Sequence, residues 1–290
     1  MPNPALIPTF LRELVVDRSL PREPEPDLVM DDPEQVAAYS QAGRIDGAMA
    51  SAYLFHSARI SQVLQGCKSV LDLGCGPATQ LAQVAELNPE TQFTGMDLSS
   101  TMLTNAEQHV RQLGLNNVTF RQGDITTLET IPSYSVDGVV STMALHHLPT
   151  YQHLENCFRS INRVLKPGGA LYLTDFGRLK SLKSVIFFAY MNARHQPHLF
   201  SLDYERSLRA AFLKEEFEAL AKSISPGATL VSTFQVPFLV IIKTDDKGLP
   251  QALRNRIQEM RRALKSSYRR DLDDLRFFFR MGGLKNDPFS

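Results

Sequence analysis

Carboxylates, glycines and a histidine pair recur along the middle of this chain at intervals suited to holding a nucleoside and moving a proton. Asp72-Leu73-Gly74-Cys75-Gly76 places an acid two residues before a G-x-G turn. Glycines there reach backbone angles that other residues avoid and, lacking Cβ, let the chain approach a ligand closely. Asp97 follows about 20 residues later at the end of a second apolar run, where an acid can accept hydrogen bonds from ribose hydroxyls. Asp124, within Gly123-Asp124-Ile125, can accept from the exocyclic amine of adenine; capping the next turn is the other use of that side chain. His146 and His147 carry rings that accept protons near neutral pH, or else pack structurally, and Asp175 is a third candidate proton acceptor.

These residues need elements to hold them. Val70–Leu73, Gln92–Asp97, Val118–Arg121, Ser135–Ser141 and Ala170–Thr174 read as apolar strands, alternating with helical patterns, among them a helix from Ser99 or Ser100 to Gln112 and another from Tyr151 to Leu165. Such βαβ alternation predicts a parallel sheet covered by helices on both faces, with ligands held beyond the strand carboxyl ends. Pro77 is expected in the first turn of the helix after the glycines, whose N–H groups would face the crevice. Two further runs, Thr229–Gln235 and Pro237–Thr244, are rich in Val, Leu, Ile and Phe and predict an antiparallel hairpin that closes the sheet.

The turn excludes one ligand class. A dinucleotide fingerprint needs a third glycine, and that position is Thr79. Asp72-x-Gly74-x-Gly76, Asp97, Gly123-Asp124-Ile125, Ala144-Leu145-His146-His147-Leu148 and the Leu165-Lys166-Pro167-Gly168-Gly169 turn together resemble the class I S-adenosylmethionine-dependent methyltransferases of small-molecule type. The resemblance spans about residues 66 to 244. It implies a doubly wound, mostly parallel seven-stranded α/β sheet with an antiparallel final strand. It also implies S-adenosylmethionine as methyl donor, with S-adenosylhomocysteine as product. Asp72, Gly74 and Gly76 would shape the pocket for the methionyl part, with Cys75 a further cofactor contact; Asp97 would take the ribose and Asp124 the adenine. Leu98, Met102, Gly123, Ile125 and Thr142 would complete the cofactor pocket. Preceding helices often cover the cofactor in such enzymes, which makes Tyr39 a candidate contact, against simple packing at the surface. The Asn/Asp-Pro-Pro element of enzymes that methylate exocyclic amines of bases is missing. A protein that binds the donor without transferring methyl remains the alternative.

Around this core the chain divides into an arm and linker (1–34), a helical cap (35–65), the core (66–246) and a helical extension (247–290). The arm has a short helix around Phe10–Val16 and then prolines and acids dense enough to predict an extended linker. An insertion at 176–204, rich in aromatic and basic residues, is expected to cover the substrate, with a docked surface helix at Val185–Tyr190 as the other reading. The extension from Gln251 to Gly283 predicts one long helix. Its apolar positions Leu253, Ile257, Met260, Leu264, Tyr268, Leu272, Leu275 and Phe279 suggest a homodimer contact, and its arginines suggest either a solvated face or a hold on an acidic substrate.

Composition sets the outer bounds. The 290 residues carry 31 basic and 31 acidic side chains, so no overall field argues for nucleic acid or anionic lipid. No run approaches the roughly 20 apolar residues of a membrane span. Cys67, Cys75 and Cys157 are odd in number and lack C-x-x-C spacing, which disfavours disulfides and a zinc site. The expectation is a cytoplasmic protein with a small-molecule substrate, no metal, no nucleic acid and no membrane partner.

Overall fold

In the computed structural model, which describes residues 4–26, 34, 47–224 and 227–290, the sheet has seven strands. They are β1 (Ser69–Leu73), β2 (Gln92–Asp97), β3 (Val118–Gln122), β4 (Val136–Thr142), β5 (Leu165–Phe176), β6 (Thr229–Ser232) and β7 (Leu239–Lys243). The order across the sheet is β3-β2-β1-β4-β5-β7-β6, and β7 runs antiparallel to both neighbours. The doubly wound architecture expected from the alternation is therefore present, including the closing hairpin.

Strand alternation sends each side chain to one of two cores. Leu71, Leu73, Val139, Leu171 and Leu173 pack beneath α5 (Tyr151–Val164) and α8 (Lys214–Ile224). Val70, Phe93, Val140 and Tyr172 face the opposite core, with α2 (Ala50–Val63) and α3 (Thr79–Leu87). Helix α4 (Ser100–Gln112) joins this second core through Ala106 and Val110 and is capped by the Ser99 hydroxyl, which accepts from Met102 N–H at 3.0 Å. Helices α6 (Leu182–Tyr190) and α7 (His198–Ala210) follow β5. Pro77 sits in the turn before α3, whose cap is Ala78 in the left-handed region, so the helix starts two residues past the proline.

One expectation about the extension is corrected, that it forms a single long helix. The extension forms two helices, α9 (Gln251–Ala263) and α10 (Ser266–Met281), broken where Leu264 adopts extended angles. Its apolar stripe is covered within the chain: Phe279 stacks on Phe55 of α2 at 5.2 Å, and Ile257, Leu264 and Leu272 are buried. Arg256 pairs with Glu86, Arg261 with Asp273, and Arg276 with Asp273 and Asp287, while Arg262, Arg270 and Arg280 are exposed on a solvated face.

The insertion boundary at residue 204 falls inside α7, and α6 docks on the core, with Phe188 stacked on Phe238 at 4.0 Å. The arm begins with α1 (Ile7–Val15), and residues 16–26 are extended as expected, yet they are no free linker. Leu20 N–H donates to Leu179 and Glu23 N–H to Arg209. Much of the expected cap, Tyr39 included, lies outside the described residues.

Candidate active site

The glycine turn is held by the strand beside it. Gly74 and Cys75 N–H both donate to the Met96 carbonyl, at 2.8 and 3.0 Å, which fixes the loop against the end of β2. Gly74 has φ +68°, and a Cβ there would lie 2.4 Å from the Ala144 Cβ. Gly76, at φ +50°, faces open space instead. One glycine is thus needed for packing against the loop after β4, the other to leave a ligand-sized gap.

Asp97 closes this cradle. Its carboxylate accepts from Gly76 N–H at 2.8 Å and from Ser99 N–H at 3.0 Å. Burial pushes its pKa up, against the lowering effect of those two donors. Asp72, on the penultimate residue of β1, is buried behind the turn, and burial together with the Asp97 charge raises it to about 8. Asp72 lines neither of the hollows at this edge.

A cavity of about 220 Å³ opens at this carboxyl edge of the sheet. Gly74, Gly76, Asp97, Leu98, Met102, Gly123, Asp124, Ile125 and His147 all line it, so nine of the expected site residues converge on one hollow. Asp124 caps its own turn through Thr126 N–H at 2.7 Å while its carboxylate remains exposed at the cavity wall. A smaller hollow of about 30 Å³ lies across the turn and shares Gly74, Gly76 and Met143 with the first. Cys75 and Thr142 line it, with Tyr53 and His56 of α2. Tyr53 is the tyrosine at this wall among the described residues, and Tyr39, singled out from sequence, lies outside them. Met143 also escaped the sequence reading; it holds φ +53° just past β4, a strained angle for a methionine, between the two hollows.

The histidine pair splits into two jobs. His146 is buried, its Nδ1 donating to Asp175 at 2.6 Å. Asp175 also accepts from the N–H groups of Leu145, His146 and Phe176. Neither His146 nor Asp175 reaches the cavity, so two of the expected proton acceptors form the footing of the loop. Four donors on one carboxylate explain why. Of the pair only His147 is at the wall, which His153 also lines; its side chain is about a third exposed, and its Nδ1 meets Glu25 at 2.8 Å.

Glu25 comes from the arm and was missed in the sequence, because nothing near it is periodic. Burial would raise its pKa, but the His147 hydrogen bond and charge, with help from His146 and Ser207, bring it down to about 2. Reciprocally, His147 is lowered by burial but raised more by Glu25, for a net increase. Asp203 nearby is pushed up to about 6, by burial and then by the Glu25 charge. Arg22 ties the arm down beside it. Its guanidinium donates to the carbonyls of His146, Leu148, Pro149 and Ala210 at 2.5 to 2.9 Å and lies 3.9 Å from the centre of the Phe212 ring.

A family model described as a methyltransferase domain matches residues 65–224, which contain the sheet through β5 and every residue named at the 220 Å³ cavity. The chain belongs to this methyltransferase-domain family. Its strand order and antiparallel β7 are those of the class I S-adenosylmethionine-dependent type. Demethylmenaquinone methyltransferases of Listeria welshimeri and Geobacillus stearothermophilus are each 36% identical over 37% of this chain, and the match covers 44% of their own length. An O-methyltransferase family protein from Burkholderia thailandensis superposes with TM-score 0.54 at 19% identity, over 84% of this chain and 69% of its own. The plantazolicin methyltransferase in complex with SAH gives 0.54 at 16%, over 81% and 88%. These two likenesses concern the fold.

The residues present fit the donor that this methyltransferase type uses. The two hollows meet at the glycines, as an elongated nucleoside with an amino-acid tail requires, and the acids lie at the first of them. Gly76 leaves the gap open where any side chain would enter it.

Proposed function

We propose that this methyltransferase-domain chain transfers a methyl group from S-adenosylmethionine to a small-molecule acceptor by in-line displacement. The observation that carries the reading is the convergence of Gly74, Gly76, Asp97, Asp124 and His147 on one cleft at the carboxyl edge of the sheet. The donor supplies an electrophilic methyl carbon when bound, so the protein's work is to hold, orient and exclude water. Asp97 accepts from the ribose hydroxyls, Asp124 from the adenine amine, and Leu98, Met102 and Ile125 give the apolar walls between them. Cys75 and Thr142 flank the methionyl end.

As the acceptor's lone pair forms the new bond to the methyl carbon, the old carbon–sulfur bond breaks and its electrons stay on sulfur. His147 accepts the proton of a hydroxyl or amine acceptor, and Glu25 orients the ring through Nδ1. His146 and Asp175 keep the loop in place beneath. The free thiols of Cys67, Cys75 and Cys157 agree with a cytoplasmic setting. Among the described residues, no helix is long and apolar enough to cross a membrane.

The test is incubation with methyl-labelled donor and a panel of small acceptors. Demethylmenaquinone, the compound in the names of the curated relatives, is the first to try. Labelled product together with S-adenosylhomocysteine is expected. Tight donor binding with neither product nor S-adenosylhomocysteine across the panel would favour a binding protein instead. A steep loss of polynucleotide binding with salt would bring back a nucleic-acid acceptor.

A further inference from the structure

Helix α1 has two faces with opposite fates. On one side Leu6, Thr9 and Glu13 are buried, and Phe10 sits 4.9 Å from the Phe278 ring of α10. Glu13 accepts from the N–H groups of Lys180 and Ser181, capping the approach to α6, so this face is docked. The other side carries Ile7, Leu11, Leu14 and Val15, which are 57%, 59%, 49% and 79% exposed. Their spacing places them in one stripe along the helix.

Helix α6, against which α1 packs, exposes Leu182 and Ile186 at 40% and 44%, with Met191 just beyond its end. Single exposed apolar residues are ordinary, but two packed helices that both turn large aliphatic side chains outward mark an interaction surface. Basic residues accompany them: Arg12 and Arg18 on the α1 side, Lys180, Lys183 and Arg194 on the α6 side. The acids on these stretches are Asp17, which is exposed, and Glu13, already engaged as a cap.

We propose that α1 and α6 form a peripheral docking surface for an anionic lipid bilayer, with Ile7, Leu11, Leu14 and Val15 entering the acyl boundary and the basic side chains meeting the headgroups. Charge decides between occupants. Two copies of this chain meeting face to face would bring like-charged rims together, whereas an anionic bilayer complements apolar stripe and basic rim at once. The surface is an attachment in the plane of the interface and is compatible with the absence of any crossing helix among the described residues. Sequence composition concealed it, because the balanced total charge says nothing about where the basic residues lie. The same helices lead to the site, α1 into the arm that carries Glu25 and α6 into α7, which carries Asp203 and Ser207. The proposal is independent of the methyl acceptor.

Co-sedimentation of the full chain with phosphatidylcholine vesicles, and with vesicles containing about a third phosphatidylglycerol, tests it. Binding is expected to be several-fold stronger to the anionic vesicles and to weaken with added salt. The double variant Leu11→Glu/Val15→Glu alters only exposed positions and should lower vesicle binding about tenfold or more, with unchanged circular dichroism and donor affinity. Arg18→Glu/Lys183→Glu should abolish the preference for anionic lipid. Failure of the wild-type chain to bind either vesicle overturns the proposal, as does binding that both variants retain. A change of oligomeric state in the Leu11→Glu/Val15→Glu variant by light scattering, without vesicle binding by the parent, would assign the surface to a second copy and likewise overturn it.

Discussion

Substituting Glu25 by glutamine tests whether the arm belongs to the active site. The exchange keeps size and hydrogen-bonding capacity but removes the charge that faces His147 at 2.8 Å. Glu25 is held at about 2 against an ordinary 4.5. At about 1.4 kcal/mol per pH unit, that corresponds to on the order of 3 kcal/mol shared among His147, His146 and Ser207. The stabilisation is present above pH 4.5 and is lost as pH falls toward 2. His147 is raised, so its share is full below the ordinary histidine value and is lost as pH rises through its folded value. Arm docking should therefore be strongest between about pH 4.5 and 6.5. Catalysis needs His147 neutral, so the acid limb of the pH–rate profile should lie above the unperturbed histidine value. In Glu25→Gln it should move to lower pH, with docking weakened by about 1 to 2 kcal/mol. The assays are NMR titration of the His147 ring and the pH dependence of kcat/KM. An unmoved ring titration would refute the pairing, and a shifted titration with an unmoved profile would refute the role of His147 as base.

Other expectations concern the cradle and its supports. Asp97→Ala should weaken donor binding by about 1 to 3 kcal/mol by calorimetry, since two charge-assisted ribose hydrogen bonds go unmade; unchanged affinity counts against the assignment. Gly74→Ala should lower stability by at least about 1 to 3 kcal/mol, because the new methyl meets Ala144 at 2.4 Å and the left-handed angle is strained; Ala144→Gly should restore part of the loss in chemical denaturation. Asp72 binds its proton more tightly when folded, so the wild type should lose stability as pH rises from about 4 toward 8, and Asp72→Asn should flatten that slope in thermal melts. Phe279→Ala should cost about 3 to 5 kcal/mol, and removal of residues 251–290 should leave no folded protein, because α10 buries the face of α2. A folded, donor-binding truncation would return the extension to the status of an appendage.

Much of the catalytic edge was legible in the sequence because its signals are local. A buried strand, a glycine turn and a helix start occupy consecutive residues from Val70 to Leu87, and Asp97 and Asp124 mark strand ends in the same repeating unit. Chain order alone then places them on one rim, since a parallel sheet aligns all its carboxyl ends. Residue type did not reveal which histidine faces the cavity. His146 and His147 are neighbours of identical chemistry, and only the Asp175 carboxylate beneath the loop decides that His146 turns inward and His147 outward. The arm was opaque for the opposite reason. Pro21 to Pro26 has no apolar period, so its sequence predicts extension and nothing more, whereas Arg22 finds the carbonyls of a loop 124 residues away. The apolar stripes of α1 and α10 look alike on paper, yet one is covered by α2 and the other is left to solvent. Periodicity fixes which side chains share a face; what that face meets depends on contacts between segments far apart in the chain, and only the folded molecule brings those together.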